Sequence, residues 1–250
     1  MLPTNSKRKS AEQLSEEAGT RRHVYGRTKG KTLKPRQANL METLFPRVSI
    51  SLDDALIDPS TLFPVATGET WLEIGFGGGE HLAWQAEQNP GIGFLGCEPF
   101  INGVAKLVSE IDERGLKNVR IHADDARFLL ERLKPGSLSR VFILYPDPWP
   151  KSRHHKRRFV NDETLALISA ALKPGGELRF ASDIPHYVAW TLAHIRRHNM
   201  KGGSRFDWLA ERPDDWRIRP SDWPRTRYEE KAIREARTPA YLRFRHEKTA

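Results

Sequence analysis

The chain has 250 residues, with 41 Lys and Arg against 32 Asp and Glu, a formal charge of +9 and a sequence pI of about 9.8. Hydrophobic residues make up 38% of it and include seven Trp, enough to close a core, which excludes a wholly disordered chain. A single Cys excludes an intramolecular disulfide framework, counts against a Cys-based zinc site and fits a reducing compartment, with the cytoplasm as the expected location.

The first residues, MLPTNSKRKSAEQLSEEAG, hold no apolar run of leader length, and no stretch of the chain approaches a membrane span. Residues 1–47 carry 11 Lys and Arg and four Asp and Glu, so most of the excess charge sits in a basic N-terminal arm ahead of one domain, 48–250. The arm reads either as a solvated tail or as a polyanion-seeking segment. Its first 22 residues are polar without hydrophobic period and are expected to be partly disordered. Arg21 to Lys34 contain no acid, and Leu40, Met41, Leu44 and Phe45 then form a short apolar face that would dock the arm.

From Thr70 onward apolar runs and helical patterns alternate. TWLEIG, IGFLGCE, NVRIHAD, LSRVFILYPDPW and ELRFASD read as strands, separated by helices in HLAWQAEQ, INGVAKLVSEIDERG, ARFLLERLKPG and ETLALISAALKPGG. A helix from about Pro185 to His198 follows, and FDWLA and YLRFRHE offer further strands. This alternation predicts an α/β fold, a Rossmann-like doubly wound sheet that is mostly parallel with an antiparallel C-terminal strand. Ligands in such sheets bind beyond the carboxyl ends of the strands.

The first strand ends in Gly75-Phe76-Gly77-Gly78-Gly79, where Gly75 and Gly77 permit a tight turn and close approach of a ligand to bare backbone. A dinucleotide fingerprint is disfavoured, because its third glycine would fall on Glu80 and because Glu73 stands just before the turn. A carboxylate within about 4 Å of a pyrophosphate charge costs on the order of 4 kcal/mol at an effective dielectric near 20, whereas a cation gains from it. Glu98, ending the second strand, suits the two hydroxyls of a ribose, and Asp125, after the third, suits an adenine amino group; both also read as helix N-caps. Together these residues describe a site for a positively charged nucleoside without phosphates, S-adenosylmethionine.

After the fourth strand, Tyr145-Pro146-Asp147-Pro148-Trp149-Pro150 fixes φ at three prolines and would project Asp147 rigidly at the mouth of the site, unless it is merely a rigid turn. Lys151 to Arg158, KSRHHKRR, begins four residues later. Lys151, Arg153, Lys156, Arg157 and Arg158 are candidate phosphate contacts bordering the active site. His154 and His155 lack a matching set of metal ligands, so no metal is expected, and Cys97 reads as buried packing. Asp183 fits a helix cap, and Thr226 with Glu229 fits a capping box.

LEIGFGGG, PDPWPKSRHHKRR, ASD and RTRYEE resemble the bacterial tRNA (guanine-N7)-methyltransferase family, class I S-adenosylmethionine-dependent enzymes that modify a guanine in the tRNA variable loop. The resemblance runs from about Leu40 to the C-terminus. It implies cofactor contacts for Glu73, Glu98, Asp125 and Asp147, with Asp147 at the catalytic centre, and substrate contacts for Lys151, Asp183 and Thr226, Arg227, Tyr228 and Glu229. Arg227-Tyr228 stands where the family usually has Lys-Phe, and Lys231-Ala232 where it has Arg-Gly. In the arm, Arg27 and Lys31 both match the family's basic position.

Guanine N7 carries a lone pair and no proton, so the implied reaction needs positioning more than acid-base work. Asp147 would hold guanine by its N1 and exocyclic amino hydrogens or offset the charge of the methylated purine. tRNA is the expected partner, with the protein a monomer or homodimer. A small-molecule methyltransferase would keep the glycines and acids without needing the basic run. A noncatalytic RNA-binding protein would keep the basic surface without needing Glu73, Glu98 and Asp147 together.

Overall fold

The computed structural model describes residues 25–53 and 55–248. The polar segment 1–22, expected to be disordered, lies outside them. Seven strands form one sheet in the order β3-β2-β1-β4-β5-β7-β6: β1 Glu69–Ile74, β2 Ile92–Cys97, β3 Val119–His122, β4 Leu138–Leu144, β5 Leu172–Ser182, β6 Ser204–Trp208 and β7 Ala240–Lys248. β1 through β5 pair in parallel, and β7 runs antiparallel to both β5 and β6, which is the expected reversed C-terminal strand.

Alternation along each strand feeds two apolar layers. Leu72 and Ile74 of β1, Leu95 of β2 and Val141 and Ile143 of β4 face one core. That layer is covered by α5 (Ala126–Arg132), α6 (Asp162–Ala171) and α7 (Pro185–Met200). Trp71, Phe94 and Phe142 point the other way, onto α3 (Glu80–Gln88) and α4 (Ile101–Arg114). α4 shows the helical period plainly: Val104, Leu107, Val108 and Ile111 are buried, and Gly115 closes it.

The docking face of the arm forms as expected. α1 (Pro35–Thr43) and the single turn α2 (Phe45–Val48) place Leu40 and Val48 in the second core, with Met41, Leu44 and Phe45 packed against it. Just beyond the arm, Ile50 donates its N–H to Ile121 O at 2.8 Å, so the chain that follows α2 covers the β3 edge. The remaining elements are α8 (Asp214–Arg217), α9 (Arg227–Arg234) and two 3-10 helices, Pro59–Leu62 and Ser152–Arg157. One boundary moves: the helix expected to run into Lys173-Pro174-Gly175-Gly176 ends at Ala171. These residues instead interrupt the start of β5, whose register against β4 shifts between Leu138 and Arg140. No helix among the described residues is long and apolar enough to cross a membrane.

Candidate functional site

The strand order reverses at β1, between β2 and β4, and the loops following β1, β2, β3 and β4 surround a cavity of about 430 Å³ there. Gly75, Gly77, Glu98, Asp125, Asp147, Lys156, Arg157, Arg158, Arg227 and Tyr228 line it, so the sheet gathers into one place residues scattered over 150 positions. Lys151 and Arg153 lie outside the lining and are exposed.

Glu98 is buried, and its two oxygens accept from Gly77 N at 2.8 Å and Phe100 N at 3.0 Å, bracing the glycine loop against the end of β2. Burial raises its pKa against the pull of these two donors, and the charge of Asp147 raises it further. Gly77 has φ of 59°, and its carbonyl meets Gly103 of α4 so closely that a Cβ there would lie 2.1 Å from it. Gly103 is therefore a site residue that sequence reasoning missed: nothing in INGVAK shows that a loop 26 positions earlier touches it.

Asp147, an exposed residue, stands at the cavity mouth, where partial desolvation of its carboxyl by the surrounding protein raises its pKa. Its turn is held by backbone as well as proline: Tyr145 and Trp149, on either side of Pro146-Asp147-Pro148, have φ of 51° and 43°, a left-handed conformation that costs a bulky residue on the order of 1–3 kcal/mol. Trp149 meets Tyr25 of the arm edge-on at 6.5 Å, and the Arg157 guanidinium lies 4.9 Å from the Trp149 ring and 5.1 Å from that of Tyr25. Tyr25 and Arg27 line the cavity. The arm is tied down beyond them, with Ile101 N bonded to Thr28 O, Gly30 N to Asn102 Oδ1, and Asn102 Nδ2 to Lys31 O. Of the two basic candidates, Arg27 faces the cavity and Lys31 lends only its carbonyl to that tether.

Several alternatives resolve into geometry. Asp125 caps α5 through Arg127 N at 2.9 Å and pairs with the Arg127 guanidinium, while still lining the cavity beside Asp124. Thr226 caps α9 by accepting from Glu229 N at 3.2 Å. Glu229 is buried and turned away, accepting from Tyr241 Oη at 2.9 Å and pairing with Arg219 at 3.0 Å, so Arg227 and Tyr228 are the members of that segment that face the cavity. Asp183 does not cap α7, whose N-cap is Ile184; its carboxylate pairs with Arg237. Glu73 is buried off the lining with His81 Nδ1 at 2.7 Å. Cys97 is buried, which pushes its thiol well above the usual range. Among the described residues no group of His, Cys, Asp and Glu is placed to hold a metal ion.

The family model described as "Putative methyltransferase" matches residues 67–241. The tRNA (guanine-N(7)-)-methyltransferase of Ruegeria pomeroyi is 52% identical over 230 residues, 90% of this chain and 94% of that protein. That of Agrobacterium fabrum is 51% identical over 223 residues, 88% of this chain and 93% of that protein. Among solved structures, the 16S rRNA methyltransferase KamB superposes with a TM-score of 0.52 at 16% identity, covering 73% of this chain and 89% of KamB, a likeness of fold alone. With half its residues shared with those relatives over nearly its whole length, the chain belongs to the tRNA (guanine-N7)-methyltransferase family.

Proposed function

We propose that the protein transfers the methyl group of S-adenosylmethionine to N7 of a guanine in the tRNA variable loop. The observation that carries this reading is the convergence, in one cavity, of a bare glycine loop, the Glu98 carboxylate that braces it, and Asp147 on a rigid turn bordered by basic residues. The cavity residues fit the cofactor. Glu98 and Asp147 present carboxyl groups to a bound cation, and Gly77, packed on Gly103, leaves backbone open to close contact. S-adenosylmethionine, when bound, supplies a methyl group attached to a positively charged sulfur.

The protein's own work is then to hold and orient. Glu98 both fixes the glycine loop and presents a carboxylate to the cavity. Asp125 and Asp124 line its far side. Asp147 accepts the N1 and amino hydrogens of the purine, or offsets its positive charge after methylation, leaving N7 uncovered. Trp149, Tyr25 and Arg157 offer flat faces at the mouth, suited to an unstacked base. Lys151, Arg153 and Lys156, exposed beside it, are the phosphate contacts that deliver that base.

The test is methyl transfer from labelled S-adenosylmethionine to unmodified tRNA, with free nucleosides as control and mapping of the modified nucleotide. Label at N7 of one variable-loop guanine is expected. Label on the nucleosides alone, or on none of the substrates, refutes the reading.

A further inference from the structure

The five cations of KSRHHKRR look alike in sequence, yet one is unlike the rest in space. Arg158 is 2% exposed, whereas Lys151, Arg153 and Lys156 are exposed to solvent. Its Nε donates to Pro148 O at 2.9 Å, and its Nη1 donates to His186 Nδ1 at 3.0 Å. The guanidinium carbon sits 4.8 Å from the Tyr187 ring centroid and 5.1 Å from that of Trp190, so two aromatic faces of α7 hold the charge where a carboxylate would ordinarily do so. The residues after it are fixed to the same helix, for Tyr187 Oη accepts from Val160 N at 3.3 Å and Trp190 Nε1 donates to Val160 O at 2.7 Å.

Pro148 is the residue after Asp147. The turn carries three prolines, which have no N–H; its entry is held by Tyr145 N donating to Ala181 O at 2.8 Å, and past Asp147 it is held through the carbonyl of Pro148. It also holds Tyr145 and Trp149 at positive φ, a conformation that persists only where neighbouring groups over-determine it. Arg158 supplies such a restraint, joining the carbonyl of Pro148 to α7, an element that belongs to the core. An Arg is needed for this: its planar fork reaches two acceptors while stacking on rings, which an ammonium cannot do.

We infer that Arg158 is a positioning residue for Asp147, holding the catalytic turn to α7, and that it makes no phosphate contact with tRNA. The inference rests on the proposed function. A displacement of about 1 Å at a reacting centre costs on the order of 10²-fold in rate. Arg158→Lys in the full-length protein is therefore expected to lower kcat by roughly 10- to 100-fold. The tRNA dissociation constant and the slope of its logarithm against the logarithm of salt concentration stay at the wild-type values. Arg153→Ala gives the opposite signature, weaker tRNA binding with a slope shallower by about one.

Because loss of a buried cation can unfold a protein, His186→Ala serves as the second variant. It removes one acceptor and leaves Arg158 its other contacts, and it is expected to lower kcat several-fold with tRNA binding and salt slope unchanged. Normal kcat in both variants, or an Arg158→Lys protein with weaker tRNA binding and a shallower slope, overturns the assignment. Wild-type protein that fails to methylate tRNA sinks instead the function on which the inference rests, an outcome read from the wild-type lane alone.

Discussion

Burial raises the pKa of both Glu98 and Asp147, so their surroundings favour the neutral forms. A carboxyl whose pKa is raised on folding stabilises the protein at acid pH, and that contribution is lost as pH rises through the folded value. A cation bound beside these carboxyls favours their ionised forms and so opposes the effect of burial. S-adenosylmethionine has a charged sulfur and its demethylated product a neutral one. The ratio of their affinities, measured by calorimetry, is expected to fall as pH is lowered from 7.5 to 5, with Glu98→Gln flattening the profile; a ratio independent of pH refutes the coupling. Asp147→Ala is expected to reduce turnover by at least about 10²-fold while tRNA binding, measured by filter retention, changes little. The acids after successive strands were legible because a doubly wound fold puts strand ends together. Their partners were not. Glu73 meets His81 across the glycine loop, and Glu229 meets Tyr241 from another element, pairings that depend on the finished packing.

The strands and helices were readable where a single period ran uninterrupted, as in the stripe Val104, Leu107, Val108 and Ile111. The start of β5 was not, because Pro174 and two glycines broke the pattern while pairing to β4 at Leu138 held the chain in the sheet. Around the same strand start, five elements share a buried chain of hydrogen bonds. His246 Nδ1 donates to Lys173 O at 3.2 Å, which leaves Nε2 as the acceptor for Ser169 Oγ at 2.9 Å; Ser169 Oγ lies 2.7 Å from Ser204 Oγ, and that lies 3.1 Å from His198 Nε2. Burial lowers the pKa of both histidines. A group depressed on folding gives stability that is present above its unfolded pKa and lost as pH falls, here below the ordinary histidine value of about 6.5. The melting temperature is expected to drop between pH 7.5 and 5.5, and His246→Gln to weaken that dependence; an unchanged dependence places the acid sensitivity elsewhere.

Over the whole molecule, charge and topology divide the labour. If the exposed cations near the cavity mouth are the proposed phosphate contacts, tRNA affinity is expected to weaken steeply with salt through counterion release, and Lys151→Ala with Arg153→Ala to reduce the slope by about two. A slope unchanged in the double variant moves the phosphate track to other residues. The basic run was legible as a unit, but its division into surface and buried members is set by α7, some 30 residues downstream. The sheet has one further consequence. β7 follows β6 in the chain yet sits between β5 and β6, so β6 has no neighbour in the sheet until β7 is in place. A chain stopped at Pro239, without β7, is expected to be cut rapidly by protease where the chain that includes β7 resists.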